Sequence, residues 1–267
     1  MKRSNLARTA LLLSAALPFY FVVAALGTKF GWWDWRTGLL TLIIGWGPGL
    51  LALALLVALI ALAVTLFRRP RDGWRMAAIA ALVPLIAFGY LGYVRSQSAA
   101  LPPIHDIATD PADPPTLSPE LTAARAAAGA NPIADLSAPL SAAEAYRDPR
   151  FAAVADRSIA ELTRESYPDV VSLRVDRDPA AALAAAQAAL ADAGFAVNRT
   201  DAADGRIEAV AESFWFGFKD DVIVRVRPDG AGARIDLRSI SRVGVSDLGA
   251  NAKRIRALSA AISERLG

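Results

Sequence analysis

Asp221-Val-Ile-Val-Arg-Val-Arg227 and, after a five-residue gap, Ala233-Arg-Ile-Asp-Leu-Arg-Ser-Ile-Ser241 decide the fold of this chain. In the first, Val222, Val224 and Val226 fall on one side and Arg225 and Arg227 on the other. In the second, Ile235 and Leu237 oppose Arg234, Asp236 and Arg238. Side chains alternate across a strand, so each segment reads as a strand with one apolar face. Upstream, Arg206–Ser213 repeats the pattern, with Ile207, Ala209 and Ala211 against Glu208 and Glu212. Phe195–Thr200 joins it through Asp204-Gly205, a plausible hairpin turn. Val170–Val175 is a short apolar strand. Asp178 as N-cap, Pro179 in the first turn and Gly194 as terminator define a helix through Ala193. Downstream, Leu248, Ile255, Leu258 and Ile262 give the terminal helix Asp247–Leu266 an apolar stripe. Ser118–Gly129 and Asp148–Tyr167 also have helical character, the second closed by Pro168. Strand, helix, antiparallel strands, helix: residues 120–267 are expected to form an α+β domain, a two-layer sandwich with a mostly antiparallel sheet and a C-terminal helix. The outward Arg, Glu and Asp are expected to pair across strands on a solvated face.

Residues 1–94 are of another kind, with nine Lys/Arg and two Asp/Glu (net +7), against twenty and twenty-four (net −4) in residues 95–267. Three apolar runs, about 10–26, 48–67 and 74–94, predict three transmembrane helices. At about 1.5 Å per residue they approach a hydrocarbon core of roughly 30 Å. Thr37–Gly47 reads as an interfacial lead-in to the second span, which Pro48 opens, and Trp32, Trp33, Trp35 and Trp46 suit that interface. Lys2, Arg3, Arg8, Arg68, Arg69, Arg71 and Arg75 outnumber Lys29, Arg36 and Arg95 by seven to three. That bias puts the N-terminus in the cytoplasm and everything after Val94 outside. A cleaved signal peptide is the rival reading of the first run, but no clean small-x-small site follows it. No ionisable group lies deep in a span, which argues for an anchor rather than a transporter or channel.

Residues 95–119, rich in Pro, Asp, Thr and Ser, read as an extended tether. The sole histidine, His105, sits in it with no metal or triad partner in view. Zero cysteines exclude disulfides and thiolate chemistry. No basic face marks a nucleic-acid partner, and neither cofactor nor metal is expected.

Two segments carry more charge, glycine and aromatic character than a plain fold needs. Phe214-Trp-Phe-Gly-Phe-Lys-Asp-Asp221 links two strands, and its aromatics either plug one end of the core or form a pocket wall or membrane-contacting lip. Arg238-Ser-Ile-Ser-Arg-Val-Gly-Val-Ser-Asp247 runs from strand into helix, where Ser246 or Asp247 caps the helix. With Arg238 and Arg242 nearby, the free N–H groups there form an anion site. Alternatively, Asp220, Asp221 and Asp247 pair with those arginines and fasten loop to helix. The candidate ligand-binding residues are Arg238, Arg242, Ser246, Asp247, Asn251, Asp220, Asp221, Trp215 and Phe218. Catalysis finds less support. Asp220 and Asp221 point to opposite faces of a strand, and no serine has a nearby histidine.

Arg206-Ile-Glu-Ala209, the Phe214–Val222 segment, Val224-Arg-Val226 and Asp236–Asn251 together resemble the domain-of-unknown-function family 1499 (DUF1499). Pro103-Ile-His-Asp-Ile107, Asp113-Pro-Pro115 and Tyr167-Pro-Asp169 extend the resemblance from about Pro102 to the C-terminus. The resemblance implies a membrane-anchored member typical of Gram-negative bacteria. It also implies that the stretch around His105 belongs to the domain. It brings no activity with it. The expected function is therefore that of an inner-membrane protein whose periplasmic domain binds an anionic ligand, a lipid headgroup or an envelope partner. The alternatives are a structural or assembly module for an envelope complex and, less favoured, a hydrolase.

Overall fold

The computed structural model describes residues 3–68 and 71–267. Lys2 and Arg69, counted above in the charge bias, lie outside the described residues. The chain forms two compact units. One runs to Ala100 and includes Ser213–Gly217; the other is Leu101–Glu212 with Phe218–Gly267.

The first unit contains α1 (Arg3–Lys29), a π-helical stretch (Arg36–Trp46) that leads directly into α2 (Gly47–Phe67), and α3 (Trp74–Ala99). All three helical stretches are long and apolar enough to cross a membrane. The expected interfacial lead-in is part of the second helix. The change of helix type falls just before Pro48, which lacks an N–H and whose ring crowds the carbonyl four residues back. Gly38 is required by packing, since a Cβ there would lie 1.8 Å from the Thr28 hydroxyl. The helices meet through small residues: Ala7, Ala10, Ala58, Ala61, Ala77 and Ala80 are buried at their contacts. Leu53, Leu56, Leu59, Ile60 and Ile86 face outward. Among hydrocarbon chains, close backbone approach rewards small side chains and leaves large apolar ones for the lipid.

The second unit is a mixed α/β domain around one antiparallel sheet of β1 (Asp106–Ala108), β2 (Leu173–Val175), β3 (Ala196–Asp201), β4 (Arg206–Glu212), β5 (Lys219–Asp229) and β6 (Gly232–Ser241). The order is β1-β6-β5-β4-β3, with β2 pairing the beginning of β6 and β1 its end. Alternation along the strands is as the sequence predicts. Ile207, Ala209, Val222, Val224, Ile235 and Leu237 point into one core with α6 (Pro179–Asp192) and α7 (Ala250–Leu266). Asp178 caps α6 by accepting from the N–H groups of Ala180 and Ala181 at 3.0 Å each. Gly205 closes the β3–β4 turn at φ +60, where an added Cβ would meet the Val226 carbonyl at 2.2 Å.

Three expectations change. Asp148–Tyr167 is not one helix. A 3-10 turn at Pro149–Phe151 precedes α5 (Ile159–Ser166), because Ser158 and Glu161 form a reciprocal capping box that starts a new helix. The terminal helix begins at Ala250 rather than Asp247, since Leu248 and Gly249 take left-handed conformations (φ 54 and 79). The third change concerns 95–119. Helix α3 runs to Ala99, Asp106–Ala108 pairs with Arg238–Ile240 as an edge strand, and Ile104, His105 and Ile107 are buried. The prolines in this stretch do not prevent strand pairing, because β1 itself contains none. From there the chain continues through α4 (Pro119–Ala127), and the Pro115 carbonyl and the Ser118 and Arg125 side chains bond to the outward face of the sheet.

Candidate functional site

The outward face of the sheet is where the sequence-predicted charges collect, and it is not solvated. Asp106, Glu208, Asp221, Asp236 and Arg238 are buried there, with Arg125 brought in by α4. Each has a partner. Arg238 holds Asp106 by two bonds, Nε to Oδ1 at 2.9 Å and Nη2 to Oδ2 at 2.7 Å, and also donates to the carbonyls of Pro115 and Ala134. Arg242 grips Asp221 in the same two-pronged way, Nε to Oδ2 at 2.9 Å and Nη2 to Oδ1 at 2.6 Å, and Arg125 also donates to Oδ2. Ser118, the N-cap of α4, donates its N–H at 2.5 Å and its hydroxyl at 2.7 Å to Glu208. Asp236 accepts from Ser172, Arg225, Arg227 and Arg234. Burial alone would push its carboxyl up, but these bonds outweigh it and hold it below the usual range.

The remaining predicted residues occupy the opposite face and the strand-to-helix turn. Asp220 points away from Asp221 and receives Arg254 of α7 at 2.6 Å. Asn251, fully buried, accepts from Ser239 at 2.7 Å and donates to the His105 carbonyl at 2.9 Å and the Ser241 hydroxyl at 3.0 Å. It thereby ties α7, β6 and the start of β1 together. Asp247 accepts from the N–H groups of Gly249 (2.8 Å) and Asn251 (3.0 Å), and burial raises its carboxyl above the usual value. Ser246 accepts from Leu248 N–H at 3.3 Å. Of the predicted residues Arg242 and Asp221 thus meet as an ion pair, while Arg238 takes Asp106, Asp220 takes Arg254 and Asp247 holds backbone N–H groups. An anion arriving at Arg238 or Arg242 has to displace a carboxylate held by two charge-assisted bonds.

The predicted aromatic wall divides. Phe214–Gly217 group with the helical unit, while Phe218, half-buried, precedes β5 in the other. Within the helical unit, Lys29 donates to the Phe214 carbonyl at 2.9 Å and lies 5.0 Å from its ring centroid. Trp215 and Phe216 join Phe21, Ile43, Leu51 and Leu91 in lining a groove of about 400 Å³ with an almost wholly hydrocarbon surface.

Sequence reasoning missed a second cavity, of about 260 Å³, in the sheet domain. His105 lines it with Tyr146, Leu140, Ile159 and Val245. The signal available was the placing of His105 between Ile104 and Ile107, apolar neighbours unlike those of a solvated tether. Tyr146 carried no signal. Among the described residues no cluster of three or more His, Asp or Glu is placed to hold a metal ion.

A family model described as "Protein of unknown function (DUF1499)" matches residues 106–262, more than half of the chain. The chain belongs to the DUF1499 family. The matched region opens at Asp106, the carboxylate that Arg238 holds, and ends on α7, so it takes in the buried charge layer and all six strands. The three apolar helices lie outside it. A search of curated proteins finds no match.

Proposed function

We propose that this DUF1499 member is a bacterial inner-membrane protein, with its N-terminus in the cytoplasm and its sheet domain in the periplasm, that binds an envelope lipid through its helical unit. Orientation is supported by the seven-to-three excess of Lys/Arg on the cytoplasmic side. The lipid reading is carried by one observation. Trp215 and Phe216, from the loop between two strands, complete an apolar groove with α1, α2 and α3. Hydrocarbon is the occupant that such walls reward in a bilayer, and the groove has room for part of an acyl chain. Of the two roles the sequence leaves open to Arg238 and Arg242, anion site or fastener, the second is favoured by the carboxylates of Asp106 and Asp221 that they already hold. Binding is favoured over turnover because Asp220 and Asp221 face opposite ways and each is held by an arginine.

Native mass spectrometry of the full-length protein, extracted gently from its own membrane, tests this. The expected result is a bound phospholipid mass that disappears in the Trp215→Ala/Phe216→Ala double variant while the melting temperature stays put. A wild-type protein without lipid, or a double variant that keeps it, overturns the reading. The assembly alternative draws support from Phe214 and Trp215, whose side chains remain 70% and 52% exposed. A crosslink from position 215 to another polypeptide, with no lipid bound, shifts the assignment to assembly. A C-terminal reporter active only in the cytoplasm that lights up refutes the orientation.

A further inference from the structure

We propose that the cavity beside His105 is a binding site for a compact neutral molecule, apolar over most of its surface and carrying one hydrogen-bond donor, of the alkylphenol type. This site is separate from the lipid groove and stands or falls without it. Size comes first. A cavity of roughly 150 Å³ is enough for a benzene ring, so about 260 Å³ holds one ring with a short alkyl substituent. The walls at Leu140, Ala142, Ala143, Ile159 and Val245 are aliphatic and offer such a ligand hydrophobic contact.

The polar end is specified by its hydrogen bonds. Tyr146 donates its single hydroxyl proton to the Val245 carbonyl at 3.1 Å. In the proposed arrangement its oxygen accepts in the 3.3 Å contact with His105 Nδ1, and the imidazole proton is assigned there. Nε2 then keeps the lone pair. Burial lowers the proton affinity of His105 further than the neighbouring Asp106 raises it, so the ring is neutral at physiological pH. The backbone that carries the ring is also fixed in place. The His105 carbonyl accepts from Ser241 N–H and from Asn251 Nδ2, each at 2.9 Å. Asn131 and Asp135 also line the cavity, but Asn131 is engaged with the Gly244 carbonyl and Asp135 with Ser137. A preset acceptor beside the aliphatic walls selects a hydroxyl or N–H donor and rejects an isostere that lacks one.

His105 is the sole histidine of the chain, so isotopic labelling of histidine nitrogens yields one imidazole to observe in the full-length protein. The probes are para-propylphenol and para-propylanisole, similar in shape and in partitioning into detergent, but only the first has a donor. At neutral pH the Nε2 resonance is expected at its unprotonated position. It should move upfield and saturate with the phenol, stay put with the anisole, and lose the response in Ala143→Trp, which fills the cavity. If Ala143→Trp fails to fold, Tyr146→Phe replaces it. Loss of the Nδ1 acceptor should then mix the two tautomers and weaken phenol binding several-fold. A protonated Nε2 in the wild-type protein, equal responses to the two probes, or no response to the phenol overturns the proposal.

Discussion

The helical unit and the sheet domain place their side chains by opposite rules. In the helices the smallest residues are inside, Ala58 and Ala77 fully buried, while Leu53 and Ile86 are 57% and 69% exposed. In the sheet domain the large apolar residues are inside, and so is a layer of charge, with Asp221, Asp236 and Arg238 on the face away from α6 and α7. Hydrocarbon surroundings give no hydrophobic reward for burying leucine, so the helices associate by close backbone approach. Water does give that reward. It also makes an unpaired buried charge costly, so each buried charge of the second layer is held by opposite charge or, for Glu208, by the hydrogen bonds of Ser118. Burial therefore marks different chemistry in the two regions: contact geometry in one, charge matching in the other.

The strongest test of that contrast is Asp221→Ala. It leaves Arg125 buried without its carboxylate, and the sheet domain of the full-length protein should lose about 3–5 kcal/mol in denaturant unfolding. A loss below about 1 kcal/mol would mean that the layer behaves as an ordinary exposed pair network. Next in size is the helical counterpart. Ala58→Leu should cost about 1–3 kcal/mol by overpacking the small-residue contact, while Leu53→Ala, facing lipid, should change stability by less than about 0.5 kcal/mol. Equal costs would break the rule that small residues define the interior.

Acid titration separates the layers further. Asp236, and Asp113 beside Arg225 and Arg227, are held below the usual carboxylate range in the folded state. A depressed folded value contributes stability that is fully present above the unfolded value of about 3.9 and lost as pH falls through the folded one. Burial keeps His105 neutral in the folded state, so the denaturation midpoint should begin to slip below about pH 6.5, as the unfolded imidazole takes up a proton, and fall more steeply below about pH 4 as the carboxylates protonate. Asp113→Asn should flatten that fall in part. The smallest effect is expected at the exposed pair Arg256–Asp169, where Arg256→Ala should cost no more than about 1 kcal/mol by thermal unfolding.

Much of the fold was legible. Period-two alternation reports strand faces directly, and Asp178, Pro179 and Gly194 punctuate α6 through local backbone chemistry that needs no tertiary partner. What covers the second face was not legible, because a charge on a strand reads alike whether water or another segment lies over it. Arg125 illustrates the difficulty. In an alanine-rich helix it looks like a solubilising residue, yet it is 2% exposed and bonded to Asp221. The candidate site was half legible. Arg242 meets Asp221, as the sequence allows, but Arg238 goes to Asp106 and Asp220 to Arg254, because β1 pairs with β6 and α7 covers the other face. His105 was discounted because prolines nearby gave its segment the composition of a tether.

The sequence by itself determined the three apolar helices, the alternating strands, the capped α6 and the membership in DUF1499, since each rests on local pattern or motif. Tertiary structure alone decided that the charged face is a buried, neutralised layer, that Phe214–Gly217 group with the helices, and that His105 and Tyr146 share a cavity. The reason is distance along the chain. Residues 41 or 96 positions apart, as His105 and Tyr146 or Arg125 and Asp221 are, meet only after the whole sheet has set their geometry.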